Sequence, residues 1–213
     1  PAFFKYKHLD KLAEEKNAAM ERGTDYHKKA EDYLKGDLKV MPMELKKLEG
    51  NFKEWRAQKI KIVEEQWAFT RTWEETTWTS WNDCWLRVKL DFAYINVEHN
   101  VLVPIDHKTG KLRQEKNDEY MEQLELYGLA GLVKYPDVNA VSPRLAYLDE
   151  GLIYPDPDEQ EIEYTRAEQP KLQKKWEKKV LPMFVDKSFK PTPSDNACRF
   201  CTYKKAKNGP CKF

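Results

Sequence analysis

The sequence has no long apolar run. Its longest purely apolar stretch, Leu126 to Val133, is far short of the roughly 20 residues that a membrane-spanning helix needs. No charged-then-apolar leader opens the chain, so the expectation is a soluble, cytoplasmic protein with no membrane partner. Internal repeats, low-complexity tracts and a helicase signature are also lacking. The chain is therefore expected to act alone or as a partner subunit, and a mass of 25.3 kDa favours one large domain around a single core. Cysteine is sparse, and three of the four, Cys198, Cys201 and Cys211 but not Cys84, fall in the last sixteen residues. That distribution argues against an extracellular disulfide framework. A Cys-x2-Cys pair in an intracellular chain usually means metal or redox chemistry. Hydrophobic residues at 40% and charged residues at 34% describe a packed interior under a solvated surface rather than a disordered chain.

The net charge of +1 conceals a segregation. From Pro170 to Phe213 twelve Lys and Arg face three Asp and Glu, a balance of +9, and the preceding 169 residues carry −8. Phosphate contacts depend on local Lys and Arg density, so a basic end suits a polyanion; a solvated helix face is the bland alternative.

Lys5 to Leu34 reads as helix, rich in Ala, Glu and Lys, and Pro42 to Gln58 as another. From Ile60 to Ile105 the composition shifts to Trp, Thr, Val, Phe and Tyr in partial alternation, as in Leu86, Val88 and Leu90, which predicts antiparallel strands with a turn at Asn96 to Asn100. Thr109-Gly110 closes the next strand. Asn117 to Tyr135 is predicted as a helix with Asn117 as its cap. Strands at Arg144 to Leu148 and near Glu161 to Thr165 flank an acidic, Pro-rich loop. Lys171 to Val185 reads as a basic helix before a loop-rich tail. The class is mixed α/β (α+β), a central sheet flanked by helices. The organisation expected is a single domain over 1–190, helical over 1–59 with a sheet core over 60–165, and a Cys-rich tail over 191–213 packed on it.

The central chemical signal is Asp91, then fourteen residues, then Pro104-Ile105-Asp106-His107-Lys108. Two carboxylates on adjacent strands of one hairpin can converge on a divalent cation, which prefers hard oxygen ligands. Period-two geometry points Asp106 and Lys108 at the same face, where an ammonium can bind the scissile phosphate or polarise the attacking water. Gly23-x3-His27 offers an imidazole as a further metal ligand. Gln123-x3-Tyr127 sets an amide and a phenol one helical turn apart, as polar reach toward phosphate or base. Singly, each residue reads more readily in a bland way, His27 as a surface histidine, Gln123 as a solvated position and Tyr127 as a core aromatic.

Taken in order, these pieces resemble the RecB-like branch of the PD-(D/E)XK nuclease superfamily. That family's pattern is Gly-x3-His on an early helix, Asp ending a strand, (Asp/Glu)-x-Lys on the next strand and Gln-x3-Tyr on the following helix. Gly23/His27, Asp91, Asp106/Lys108 and Gln123/Tyr127 match it, with Asp106 where Glu is frequent. The resemblance implies a metal-dependent nuclease with His27, Asp91, Asp106 and the carbonyl of His107 around Mg2+ or Mn2+. It also implies a Glu before the second strand, a place either Glu64 or Glu65 could fill.

The tail adds a second resemblance, to AddB-type and CRISPR-associated members that hold an iron–sulfur cluster through one Cys near the N-terminus and three near the C-terminus. Cys198, Cys201 and Cys211 look like that trio. The resemblance implies a [4Fe-4S] cluster, with Zn2+ as the alternative, and a fourth ligand just upstream of Pro1; the gap between Cys201 and Cys211 is longer than in those relatives. Cys84 reads as a buried thiol. Five of the seven Trp fall between Trp67 and Trp85. Stacking on unpaired bases is worth ~1–3 kcal/mol per base, but sheet core and cross-strand pairs account for most such residues.

The function expected is a metal-dependent deoxyribonuclease, an exonuclease before an endonuclease, cutting DNA ends or single strands in recombination or repair. A recombination protein is the partner expected, and the setting a bacterial cell or its phage. The alternative is a DNA-binding or assembly module with a degenerate core and a metal staple; intact Asp91, Asp106 and Lys108 count against it.

Overall fold

The computed structural model describes residues 2–14, 17–199 and 201–213. The chain forms two compact units, one over 22–173 and the other from 1–21 with 174–213.

The larger unit is built on a seven-stranded mixed sheet. Helix α2 (Ala18–Lys35) and helix α3 (Glu49–Ala57) lead into β1 (Lys61–Phe69), β2 (Leu86–Asn96) and β3 (Val101–Lys108), an antiparallel meander. The crossover from β3 runs through helix α4 (Asn117–Lys134) to β4 (Ala140–Val141) and β5 (Arg144–Tyr147). Both pair parallel to β3, the first at its start and the second at its end. Parallel neighbours need such a crossover because a tight turn cannot reverse direction twice. Two further strands, β6 (Leu152–Tyr154) and β7 (Tyr164–Thr165), pair antiparallel with β5 and β4.

Both faces of the sheet are covered. On one, Ala30, Tyr33 and Leu34 of α2 and Phe52 and Trp55 of α3 bury Phe92 and Ile105. On the other, Tyr127, Ala130 and Leu132 of α4 pack with Trp67, Leu90, Ala93 and Leu102. A Cβ on Gly128 would lie 2.2 Å from the Tyr164 ring, so only glycine lets α4 approach β7 this closely. The packing fixes the height at which Gln123 and Tyr127, one turn apart, meet β3.

The smaller unit begins with a short helix α1 (Ala2–Phe4) and a π-helical turn at Lys5–Leu9, and holds most of helix α5 (Gln169–Val185) and the short α6 (Asp195–Arg199). Tyr203 is buried there. Its ring lies 5.4 Å from Phe3 and 5.6 Å from Tyr6, and its hydroxyl donates to the Leu12 carbonyl at 3.0 Å.

The helix expected over Lys5 to Leu34 is broken. Lys11 has φ of 52°, a left-handed conformation that helices do not accept, and α2 starts afresh where Asn17 Oδ1 caps the Met20 amide at 3.0 Å. Residues 15 and 16 of that prediction lie outside the described residues. Asn117 is the first residue of α4 rather than its cap, with a 3-10 turn at Gln114–Lys116 ahead of it; its side chain accepts a hydrogen bond from the Tyr154 hydroxyl instead. The loop predicted after Leu148 contains β6, reached by a turn in which Gly151 takes φ of 72°. Cys84 is half-buried just before β2, donating to the Leu86 carbonyl at 3.5 Å, and is not the buried strand thiol expected.

Candidate functional site

The antiparallel ladder between β1 and β2 breaks at one place. Lys61 to Val63 pair with Tyr94 to Phe92, and Glu65 to Phe69 pair with Leu90 to Leu86. Glu64 and Asp91 are the two residues between. Glu64 has φ of 56°, a conformation that costs a non-glycine residue of order 1–3 kcal/mol and concentrates at functional sites. Its effect is visible in the core. Ile62 faces the same side as Trp67, and Leu90 the same side as Ala93, so the two-residue alternation slips by one on both strands while their register survives. The slip frees Glu64 and Asp91 from the two packed faces.

Helix α2 then delivers His27 to the gap. His27 Nδ1 lies 3.0 Å from Asp91 Oδ1, and Asp91 Oδ2 accepts the His107 amide at 2.8 Å. Ligand atoms of His27, Glu64 and Asp91 all lie within 4.8 Å of one another, and among the described residues no other group of three or more His, Cys, Asp or Glu does so. Lys89 reaches Glu64 at 3.0 Å.

Asp106 stands beside this trio on β3. Its Oδ1 accepts the Tyr127 hydroxyl at 2.7 Å and the Gln123 amide at 3.2 Å. Its Oδ2 is 2.7 Å from Lys108 Nζ, yet the angles do not form a directed hydrogen bond, leaving a buried carboxylate oxygen without one. Lys108 thus shares a face with Asp106, as period two requires. His107 alternates to the opposite face. Its ring is buried 5.4 Å from Phe52 and 6.2 Å from Trp55 and stands edge-on to the His27 ring at 6.0 Å, while its backbone amide reaches Asp91.

The electrostatics are those of a crowded acidic pair. Burial pushes Asp91 up, but the His27 hydrogen bond, the nearby imidazoles and the His107 amide bring it below its ordinary value. The same hydrogen bond raises His27. Burial raises Asp106, and the charge on Asp91 adds to this against the pull of Lys108. Tyr127 is raised by burial and then by Asp106, so it serves as a neutral donor. A bound cation would invert this balance. Two carboxylates and an imidazole, with the unbonded Asp106 Oδ2 beside them, suit a hard divalent ion that accepts oxygen and nitrogen ligands.

Sequence reasoning had named His27, Asp91, Asp106, Lys108, Gln123 and Tyr127, and these come together. It left Glu64 and Glu65 undecided. Glu64 joins the trio, whereas Glu65 accepts the Tyr135 hydroxyl at 3.4 Å. Lys89 was missed, although its place two residues before Asp91 was a signal. Cys198, Cys201 and Cys211 are free and half-buried in the smaller unit. The Cys201 amide donates to the Cys198 carbonyl at 3.3 Å and the Cys211 amide to the Tyr203 carbonyl at 3.0 Å, but the three sulfurs do not share a 4.8 Å cluster.

No helix among the described residues is long and apolar enough to cross a membrane. A comparison with curated proteins finds no match. The family model of the PD-(D/E)XK nuclease superfamily matches residues 1–206. With nearly the whole chain covered, and with carboxylates, lysine and imidazole gathered at the broken ladder, the protein belongs to the PD-(D/E)XK nuclease superfamily.

Proposed function

We propose that the protein is a Mg2+- or Mn2+-dependent deoxyribonuclease of the RecB-like branch, acting as an exonuclease on DNA ends or single strands in recombination or repair. The observation that carries this reading is the meeting of His27, Glu64 and Asp91 beside the Asp106–Lys108 pair. His27, Glu64, Asp91 and Asp106 would hold the ion, with the backbone of His107 at its edge. Bound there, a divalent ion polarises phosphoryl oxygens and lowers the pKa of water.

The chain's own residues supply the rest. Gln123 and Tyr127 hold Asp106 in one orientation by two hydrogen bonds. Lys108, half-buried beside Asp106, keeps a fixed positive charge where negative charge develops on the attacked phosphate. Water gives up a proton as its oxygen adds to phosphorus, the P–O bond to the leaving nucleotide breaks, and the departing oxygen takes up a proton.

The cysteines belong to the same proposal as a [4Fe-4S] or Zn2+ site using Cys198, Cys201 and Cys211, three thiols in a basic, polar segment where burial among apolar neighbours does not explain them. A bacterial or phage setting and a recombination partner complete it.

The test is a time course on end-labelled linear DNA beside closed circular DNA, with Mg2+, with Mn2+ and with EDTA. An exonuclease degrades only the linear form and needs the metal. Cleavage of the circle at the same rate would replace exonuclease by endonuclease, and cleavage in EDTA would remove the metal from the reading.

A further inference from the structure

Strand β3 ends at Lys108, and the chain from Gly110 to Arg113 belongs to no helix or strand. It is nevertheless fixed. Three of its four amides donate to side chains: Gly110 to Asp149 Oδ2 at 2.5 Å, Leu112 to Glu150 Oε2 at 2.7 Å and Arg113 to the Tyr120 hydroxyl at 3.3 Å. Gly110 takes φ of 97°, a conformation open to glycine at no steric cost. Asp149 and Glu150 lie in the turn between β5 and β6. The Leu148 amide just before them donates to the Lys108 carbonyl at 2.9 Å, so the turn is registered on the lysine itself. The other Asp149 oxygen accepts Arg22 Nη2, which ties the turn to α2 five residues before His27. Burial pushes Asp149 up, but Arg22 and the Gly110 amide bring it below its ordinary value, so it is charged at neutral pH. What this framework presents is positive charge. Leu112 is half-buried and packs against the cluster of Leu124, Leu145, Tyr147 and Ile162, while its neighbours Lys111 and Arg113 are exposed. Lys116 is matched by Glu119 at 2.7 Å; Lys111 and Arg113 have no carboxylate partner among the described residues, in a part of the chain whose first 169 residues carry −8.

We propose that Lys111 and Arg113 bind phosphates of the DNA backbone beside the scissile one, on a loop that Asp149 and Glu150 hold in its binding shape before DNA arrives; the choice of DNA rests on the nuclease reading above. Lys111 stands three and Arg113 five residues beyond Lys108, so their Cα atoms lie at most about 10 and 17 Å from that of the lysine at ~3.4 Å per residue. That is a few nucleotide steps at ~3.4 Å each. A guanidinium fork matches phosphate oxygens, and an ammonium serves as a point charge. A loop already fixed by side chains gives up little conformational freedom on binding. Phosphates are alike in every sequence, so these contacts set the position of the strand at Lys108 without reading its bases.

Binding of a short fluorescein-labelled duplex with a single-stranded tail, followed by anisotropy in EDTA so that nothing is cut, tests the loop apart from the chemistry. Lys111→Gln and Arg113→Gln should each flatten the dependence of log K on log salt by about 0.7–0.9 between ~50 and ~200 mM. Asp149 gives a test of sign. Removing a negative charge should by itself tighten binding to a polyanion, whereas Asp149→Ala also frees the Gly110 amide and should weaken binding by about two- to tenfold. Asp149→Asn loses the same charge but keeps an acceptor for that amide, so it should bind more tightly than Asp149→Ala. Circular dichroism on each variant checks folding, and the exposed Lys111 and Arg113 keep the test valid if Asp149→Ala fails it. A parental salt slope in Lys111→Gln or Arg113→Gln, or binding by folded Asp149→Ala as tight as the parent's or tighter, overturns the proposal. If the parent cuts no DNA with Mg2+ or Mn2+ while both glutamine variants still flatten the slope, the nuclease reading falls and the loop stands.

Discussion

The carboxylate site and the cysteine segment place reactive side chains in opposite ways. His27, Glu64 and Asp91 come from three elements far apart in the chain and still meet, with Asp106 of a fourth beside them, because a two-sided core pins each element. The thiols of Cys198, Cys201 and Cys211 start within fourteen residues of one another yet share no 4.8 Å cluster. Closeness along the chain is thus neither necessary nor sufficient for convergence. What differs is packing: Asp91 and Asp106 are 5% and 9% exposed and hydrogen-bonded in place, while the thiols are half-buried in a polar segment.

The largest expected effect breaks the first region. Asp91→Ala and Asp106→Ala should each lower cleavage by about a thousandfold or more, since several kcal/mol of metal-dependent stabilisation is lost and each ~1.4 kcal/mol is tenfold. Lys108→Ala should lose turnover equally and keep Mn2+ affinity by calorimetry. Parental cleavage by Lys108→Ala would remove the lysine from the chemistry.

The second prediction breaks the other region. Anaerobically purified protein should carry iron or zinc by elemental analysis, and Cys198→Ala or Cys211→Ala should lose it, melt earlier and aggregate, with far less effect on cleavage per folded molecule than Asp106→Ala. Metal-free parent protein whose three thiols titrate freely would end that proposal.

The third sharpens the comparison through pH. Burial lowers the His107 imidazole to about 4, below its ordinary 6.5, so between these values the unfolded chain binds the extra proton. Stability of the metal-free protein should therefore fall as pH drops from 6.5 toward 4, by up to about 3 kcal/mol, with His27 opposing because its shift is upward. Urea unfolding of His107→Leu should show a shallower acid loss; an identical slope would mean that His107 is not held neutral.

The smallest effect separates two neighbours. Tyr127→Phe removes one charge-assisted hydrogen bond from Asp106 and should cost about 1.5–3 kcal/mol of stability. Glu64→Gln should weaken Mn2+ binding, whereas Glu65→Gln should leave it within a factor of two. Equal weakening by both glutamate variants would dissolve the distinction that the broken ladder makes.

Much of this was legible beforehand because strands and helices have fixed periods. Asp106 and Lys108 share a face by alternation, and Gln123 and Tyr127 share one by the helical turn, so each pair follows from spacing alone. The mixed sheet followed from the order of patterned segments. Three features did not follow. The helix break at Lys11 sits in a stretch with good helix propensity, which is a weak preference that tertiary context overrides. Strand β6 has three residues, too few to show a period. Glu64 and Glu65 are chemically identical, and alternation assigns them to opposite faces only if the strand is regular; the left-handed backbone at Glu64 makes it irregular. Spacing determines which side chains travel together on one element. Which elements meet, and where a strand yields to let a carboxylate turn inward, depends on long-range packing, and that free energy is carried by contacts between residues far apart in the chain.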